Sequence, residues 1–323
     1  MKAAVHLKYG PPEVVKITEV DKPIITDNEV LIRVFATTVN RTDCGFRSAS
    51  YFISRFFSGL FKPKQTILGN EFSGVVVSVG KNVSEFKKGD KVFGYNDITF
   101  GGHAEFIKIQ ADGAIALMPE NLSFTQAAAL TEGGHYALCD IRAAKVKKGQ
   151  KVIVNGATGA IGSAAVQLLK HYEASVTAVC ATDHIDLIKS LGADYVIDYL
   201  KEDFTQSDER YDFIFDAVGK SSFGACKNIL KDGGIYISTE LGENAENIFL
   251  ALITPFIGKK RLLFPIPSIN REDINFLKEQ AEKGVFKPVV DRTYTLDRIV
   301  DAYKYVETGQ KIGNVIITFD VKE

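Results

Sequence analysis

The feature that most constrains this chain is the stretch VNGATGAIGSAAVQLLK, Val154 to Lys170. A short apolar run ends at Gly156. Gly156, Ala157, Thr158, Gly159, Ala160, Ile161 and Gly162 then spell G-x-x-G-x-x-G, ahead of small residues and an apolar pattern of helical period. A strand that turns on glycines into a helix is built for a ligand that needs bare backbone. One glycine makes the tight turn, one lets peptide N–H groups approach a pyrophosphate, and one lets the helix pack on its sheet. The helix N-terminus adds partial positive charge. The spacing alone is weak evidence; its setting strengthens it.

From Gln150 onward the sequence alternates. KVIVNG, SVTAVCA, YVIDY, YDFIFDAV and GIYIST read as strands, with helical stretches such as IDLIKSLG and GACKNILKDGG between them. Apolar runs linked by helices predict a parallel sheet with right-handed crossovers. RLLFPIP is a sixth candidate strand, followed by the helices REDINFLKEQAEKG and LDRIVDAYKYVETG and a closing strand, NVIITF. The first third differs. EVLIRVFATTV, EFSGVVVSVG, DKVFGY and GGHAEFIKI are strands punctuated by Gly, Asn and Asp, the pattern of an irregular antiparallel domain. Near Ser123 the rhythm becomes helical, and Ser123 with Gln126 forms a capping-box pattern.

The length of 323 residues fits about two domains. With 39 basic and 40 acidic residues the net charge is −1, so no nucleic-acid or membrane partner is expected. The start, MKAAVHLKYG, lacks the apolar run of a signal peptide. NIFLALITPFIGKK is too short for a membrane span and reads as a buried or interface helix broken at Pro255. Cys44, Cys139, Cys180 and Cys226 form no CxxC pair, so they read as thiols in a reducing cytoplasm.

The end of the second strand after the glycine turn selects the cofactor. An acid there, roughly 20 residues beyond the glycines, would bind the ribose 2′-hydroxyl of NAD. The sequence there is VCATDH. Cys180 and Ala181 hold the tip, Thr182 can donate to a 2′-phosphate, and His184 and Lys189 follow; Asp183 opposes that reading. NADP(H) is favoured, with NAD(H) as the alternative. Thr182 and Asp183 also have an ordinary use in opening the next helix.

Together, VNGATGAIGSAAVQLLK, SLGADYVIDYLKEDF and YDFIFDAVG resemble the medium-chain dehydrogenase/reductase superfamily, most closely its zinc-independent quinone oxidoreductase-like branch. The opening MKAAVHLKYGPPEVVKITEVDKP and the ending FKPVVDRTYTLDRIVDAYKYVETGQKIGNVIITF share the resemblance. It implies an α/β fold in which a GroES-like β-rich catalytic domain, residues 1–122 and 268–323, encloses a Rossmann domain, residues 123–267, with a doubly wound parallel sheet. It also implies NADPH-dependent hydride transfer to quinones or α,β-unsaturated carbonyl compounds, a small apolar or planar carbonyl substrate, and a homodimer, which the cysteine reading puts in the cytoplasm.

Zinc relatives place Cys in the loop matching VNRTDCG and Gly-His-Glu at LGNEFSG. Asn40 and Asn70 stand at those ligand positions here. An amide is a poor zinc ligand beside thiolate and imidazole, so no metal is expected; no flavin is expected either. By resemblance, Asn40 and Asp43 shape the cleft near the nicotinamide, and Tyr51 donates to the acceptor carbonyl. Asp43 has a structural alternative, pairing with Arg47 or capping the loop, and Tyr51 has one as a rim aromatic. His135 departs from the Thr many relatives carry; it is a proton donor, a nicotinamide ligand or a structural histidine. Glu132 is a weaker candidate base, and His103 reads as structural. The resemblance brings Val218, Gly219, Thr239, Glu240 and Leu241 to the cofactor through their backbone, with Asn314 at a further contact where relatives often have Lys. The aromatic stretch YFISRFFSGLFKPKQTILG reads as an apolar wall for the acceptor or as an amphipathic helix on the core. Two other readings stand beside the reductase: a metal-free alcohol or aldehyde dehydrogenase, and a nucleotide-binding protein without turnover.

Overall fold

The structure is a computed structural model that describes residues 1–49 and 55–319. Along the chain run β1 (Lys2–Val5), β2 (Lys16–Glu19), β3 (Glu29–Val39), α1 (Arg41–Ser48), α2 (Arg55–Ser58), β4 (Glu71–Val79), β5 (Lys91–Tyr95), β6 (Phe106–Gln110) and β7 (Ile115–Leu117). Then come α3 (Phe124–Ala128), α4 (Thr131–Ala143), β8 (Lys151–Asn155), α5 (Ala160–His171), β9 (Ser175–Cys180), α6 (Ile185–Ser190), β10 (Tyr195–Asp198) and β11 (Tyr211–Asp216). The remainder is α7 (Phe223–Cys226), β12 (Leu230–Ser238), α8 (Glu246–Ile253), β13 (Arg261–Leu263), α9 (Arg271–Glu282), β14 (Val290–Thr295), α10 (Ile299–Glu307) and β15 (Asn314–Thr318).

These elements form two units: Met1–Glu132 with Ile269–Lys283 and Pro288–Glu323, and Gly133–Ser268 with Gly284–Lys287. The first unit continues past residue 122 for a local reason. The Ser123 capping box opens α3, and Ala128 and Ala129 pack with Ala36 of β3 and Ile316 of β15. Its main sheet runs β14-β15-β3-β4-β5-β7, with β6 on β3. Strand β15 returns from the end of the chain to pair antiparallel with β3, Val315 opposite Val39. Valines and isoleucines alternate into two cores on this sheet, one with Tyr303 and Ile299 of α10, the other around Phe72, Val92 and Ile107.

The second unit holds a six-stranded sheet in the order β10-β9-β8-β11-β12-β13, with each neighbouring pair parallel. Its core strands read as continuous apolar runs because helices cover them: Val152, Ile153 and Val154 of β8 are wholly buried. The order reverses between β8 and β11. Such a switch point opens a crevice at the carboxyl ends of the strands.

Two readings need adjustment. Of the two alternatives for the segment around Pro255, buried or interface helix, the buried one falls: α8 stops at Ile253, and Phe249, Leu252, Phe256 and Ile257 are exposed. The helical run after Ser123 is two helices, α3 and α4, parted at Ala129 and Leu130.

Candidate active site

In the first unit, β3 ends at Val39 and Asn40 turns the chain into α1. The Asn40 side chain accepts from Asp43 N at 3.0 Å, while Asp43 Oδ2 accepts from Asn40 N at 3.1 Å, a reciprocal capping box. Asp43 therefore caps the helix; it does not pair with Arg47, whose guanidinium bonds Glu307 and the Gly10 carbonyl. Asp43 Oδ1 accepts from Gly69 N at 2.9 Å, which ties α1 to the residue before Asn70. Asn40 Nδ2 donates to Asn70 Oδ1 at 2.7 Å. Asn70 Nδ2 donates to Glu132 Oε2 at 3.0 Å, Tyr95 OH to the same oxygen at 2.8 Å, and Thr42 Oγ1 to Glu132 Oε1 at 2.7 Å. The two amides expected at metal-ligand positions thus bond each other and hand on to a carboxyl group. No cluster of three or more His, Cys, Asp or Glu suited to a metal occurs among the described residues.

Beneath this network lies Glu71, fully buried. Its Oε1 accepts from Thr131 N at 3.1 Å, Thr131 Oγ1 at 2.9 Å and Glu132 N at 2.5 Å, and its Oε2 from Thr38 Oγ1 at 2.5 Å. Burial pushes Glu71 and Glu132 above the ordinary carboxyl range, and the neighbouring Glu71 charge raises Glu132 further, while the Glu132 N–H pulls Glu71 back down. Burial also pushes Asp43 up to about 7, against the pull of the Gly69 and Asn40 N–H groups. Lys311, lowered by burial, faces this acidic group electrostatically and donates to the Gly313 carbonyl at 2.6 Å. His103 is structural. Its Nε2 donates to the Thr38 carbonyl at 2.7 Å, which leaves Nδ1 to accept from Tyr303 OH at 3.3 Å, and burial lowers it to about 4.

In the second unit, the glycine turn follows β8 at the switch point. Gly156 has φ +75°, and a Cβ there would lie 2.6 Å from Val218 Cβ. A Cβ on Gly162 would strike the Gly156 carbonyl at 2.1 Å, so this glycine lets α5 close on the turn. Gly159 differs: its Cβ would meet nothing nearer than 3.6 Å. Packing does not require glycine there, and no side chain caps α5. What remains is a bare cradle of N–H groups at a helix start, which fits a pyrophosphate. Asp216, at the end of β11, fixes the facing loop: it accepts from Asn155 Nδ2, Tyr236 OH and the N–H groups of Val218 and Ser221. Thr239 N donates to the Asp216 carbonyl, so Thr239, Glu240 and Leu241 leave β12 beside Val218 and Gly219.

Family-model comparison matches residues 26–120 to the alcohol dehydrogenase GroES-like domain and residues 191–317 to the zinc-binding dehydrogenase model. The chain is 33% identical to the 2-methylene-furan-3-one reductase of Solanum lycopersicum, over 98% of its own length and 79% of that protein. It is 31% identical to the chloroplastic NADPH-dependent alkenal/one oxidoreductase of Arabidopsis thaliana, with the same two coverages. Among solved structures, the quinone oxidoreductase from Coxiella burnetii superposes with a TM-score of 0.88 at 28% identity, over 100% of this chain and 99% of that one. The chain belongs to the medium-chain dehydrogenase/reductase superfamily, in its quinone oxidoreductase-like branch.

As a member of that superfamily, the chain places its expected residues unevenly. Asn40 and Asp43 lie together in the first unit, with Glu132. The glycine turn, Val218, Gly219 and Thr239–Leu241 gather at one edge of the second unit's sheet. His135 is buried in α4, its ring edge-on to Tyr136 with centroids 4.7 Å apart. Asn314 is buried in the first unit and its side chain donates to the Val289 carbonyl at 3.0 Å. Thr182 donates to Asp198 at the tip of β10, where Lys201 also pairs at 3.1 Å, so its hydroxyl already has an acceptor. Tyr51 lies outside the described residues.

The sequence reading missed Asn70, Tyr95 and Thr42 as partners of Glu132, and missed Lys311. No local pattern joins positions 42, 70, 95 and 132. It also missed Asp140, one helical turn beyond Tyr136, where i,i+4 spacing on a helix of small residues was the available signal.

Proposed function

We propose that this protein is a zinc-independent, NADPH-dependent reductase that transfers hydride to quinones or to carbon–carbon double bonds conjugated with a carbonyl. The observation that carries the reading is the pairing of a bare glycine turn at the sheet's switch point with a ligand-position pair, Asn40 and Asn70, whose amides bond each other. The relatives' names, a furanone reductase and an alkenal/one oxidoreductase, support an enone acceptor, and the Coxiella structure supports a quinone.

When bound, the nicotinamide supplies hydride to the acceptor's electrophilic carbon. The Gly156–Gly162 turn and the start of α5 hold the pyrophosphate. Asp216 keeps the loops after β11 and β12 in register beside it. Asn40, Asn70 and Glu132 form a hydrogen-bonded surface in place of a Lewis acid. An acceptor that is already electrophilic needs less polarisation than an alcohol or a simple ketone. The completing proton comes from Tyr51, His135 or water.

NADPH is proposed over NADH because no acid ends β9 and because the Arabidopsis relative is NADPH-dependent by name. The Thr182–Asp198 contact favours the second reading, NADH, since it brings a carboxylate to the place where a 2′-phosphate would sit. We further propose a cytoplasmic homodimer. Its four cysteines are free thiols, and no helix among the described residues is long and apolar enough to cross a membrane. Strand β13 is the outermost strand of its sheet, near the exposed Phe249, Leu252, Phe256 and Ile257.

The test is NADPH and NADH oxidation over a panel of quinones and enones, with and without a chelator. Turnover with NADPH at an unchanged rate under chelation is expected. Loss of turnover on chelation, restored by zinc, would overturn the zinc-independent reading. Tight NADPH binding without reduction of any acceptor would favour a binding protein.

A further inference from the structure

The second unit contains a cavity of about 230 Å³ at the carboxyl ends of β12 and β13. One wall is apolar: Leu241, Phe264, Pro265, Ile266 and Pro267. Tyr136 and Asp140 of α4 also line it. Asp140 is 2% exposed, and no hydrogen bond to its carboxyl group occurs among the described residues. A buried carboxyl group left unpartnered by protein costs free energy unless a ligand or water supplies the missing bonds. Among the described residues, Glu240 is the one other charged group that lines this cavity, and no lysine or arginine does. Burial pushes Asp140 up to about 8, with no opposing interaction, so at neutral pH the group is a carboxylic acid. It then presents one donor and one acceptor side by side.

The cavity also has a fixed place relative to the glycine turn. A Cβ on Gly133 would lie 2.5 Å from the Ala160 carbonyl, so α4 is docked directly on the first turn of α5. Thr239 N is tied to the Asp216 carbonyl at 3.1 Å, so the loop after β12 belongs to the same sheet edge. The volume is below the roughly 300–1,000 Å³ that encloses a drug-sized molecule, so the cavity takes one ring-sized part of a larger ligand. A flat ring against the Phe264–Pro267 wall, bearing a group with adjacent donor and acceptor, meets every feature of the lining.

We propose that Asp140 reads the primary carboxamide of the nicotinamide and so sets which way the cofactor's ring lies in the second unit. This rests on the nicotinamide reading proposed above and adds a residue to it. An acid and a primary amide complete each other's donor and acceptor in one planar pair. An acetyl group in place of the carboxamide keeps the acceptor and loses the donor.

The experiment measures binding, not turnover. Calorimetric titration at pH 7 compares NADP⁺, its 3-acetylpyridine analogue and 2′-phospho-ADP-ribose on the wild-type, Asp140→Asn and Asp140→Leu proteins. The wild type is expected to prefer NADP⁺ over the acetyl analogue by about tenfold. Asp140→Asn keeps a neutral donor and acceptor, so it retains most of that preference; Asp140→Leu binds the two ligands equally. 2′-Phospho-ADP-ribose, which lacks the ring, binds all three proteins alike and reports that the rest of the site is intact. Undiminished preference in Asp140→Leu would overturn the inference while leaving the nicotinamide reading in place. Should Asp140→Leu fail to fold, loss of the preference in Asp140→Asn would overturn it and retention would support it. A wild type that binds 2′-phospho-ADP-ribose and neither nicotinamide nucleotide would refute the nicotinamide reading itself.

Discussion

At the scale of single residues, this protein keeps several acids out of water, and the cost of doing so depends on how each is partnered. Among the described residues, Asp43 accepts two backbone N–H bonds and Glu71 accepts four bonds, whereas Asp140 accepts none. Asp140 therefore makes the cleaner prediction. Its folded pKa of about 8 lies above its value of 3.8 in an unfolded chain, so the native state binds the extra proton between those pH values. Stability falls as pH rises through that window. Asp140→Asn removes the effect: its stability relative to the wild type should grow from pH 5 to pH 8.5, by on the order of 3 kcal/mol. Urea unfolding at the two pH values checks this, and an equal difference at both would show that the carboxyl titrates normally. Asn70 offers the opposite case. Asn70→Leu leaves the Asn40 amide and the Glu132 carboxyl each short of a partner, and should destabilise the first unit by about 2–4 kcal/mol. Thermal melts with the circular dichroism signal as readout test it.

At the scale of elements, the glycine turn separates packing from binding. A methyl at Gly162 would overlap backbone of the same turn, so Gly162→Ala should lower stability by about 2–4 kcal/mol and weaken cofactor binding with it. A methyl at Gly159 meets no atom closer than 3.6 Å, so Gly159→Ala should melt within about 2 °C of the wild type. The same methyl fills the cradle, and the NADPH dissociation constant should rise at least about tenfold. If Gly159→Ala bound NADPH normally, the pyrophosphate would have to lie elsewhere. The turn was legible in the sequence because its parts are consecutive: strand, three glycines, helix. So was the capping box at Ser123. The exposure of Phe249 and Leu252 was not, because an apolar helix pattern reports that a face seeks cover without saying what supplies it.

At the scale of the whole molecule, the chain folds back on itself. Val315, Ile316 and Ile317 of β15 are wholly buried against β3, hundreds of residues away in sequence. Ile317→Ala should cost the first unit about 2–4 kcal/mol, read by denaturant titration, although the position lies near the end of the chain. The sequence by itself determined the alternation of strands and helices, the parallel sheet with its nucleotide turn, and the absence of thiol and imidazole at the two ligand positions. Each of these is written in neighbouring residues or in a residue's identity. Tertiary structure decided the rest. It brought Thr42, Asn70, Tyr95 and Glu132 into one network, gave the Thr182 hydroxyl to Asp198, assigned Asn314 to the Val289 carbonyl, and left Asp140 facing a cavity with no hydrogen-bond partner among the described residues. Those outcomes depend on which polar groups meet once water is excluded, and hydrogen-bond partners distant in the chain are chosen by packing, not by local pattern.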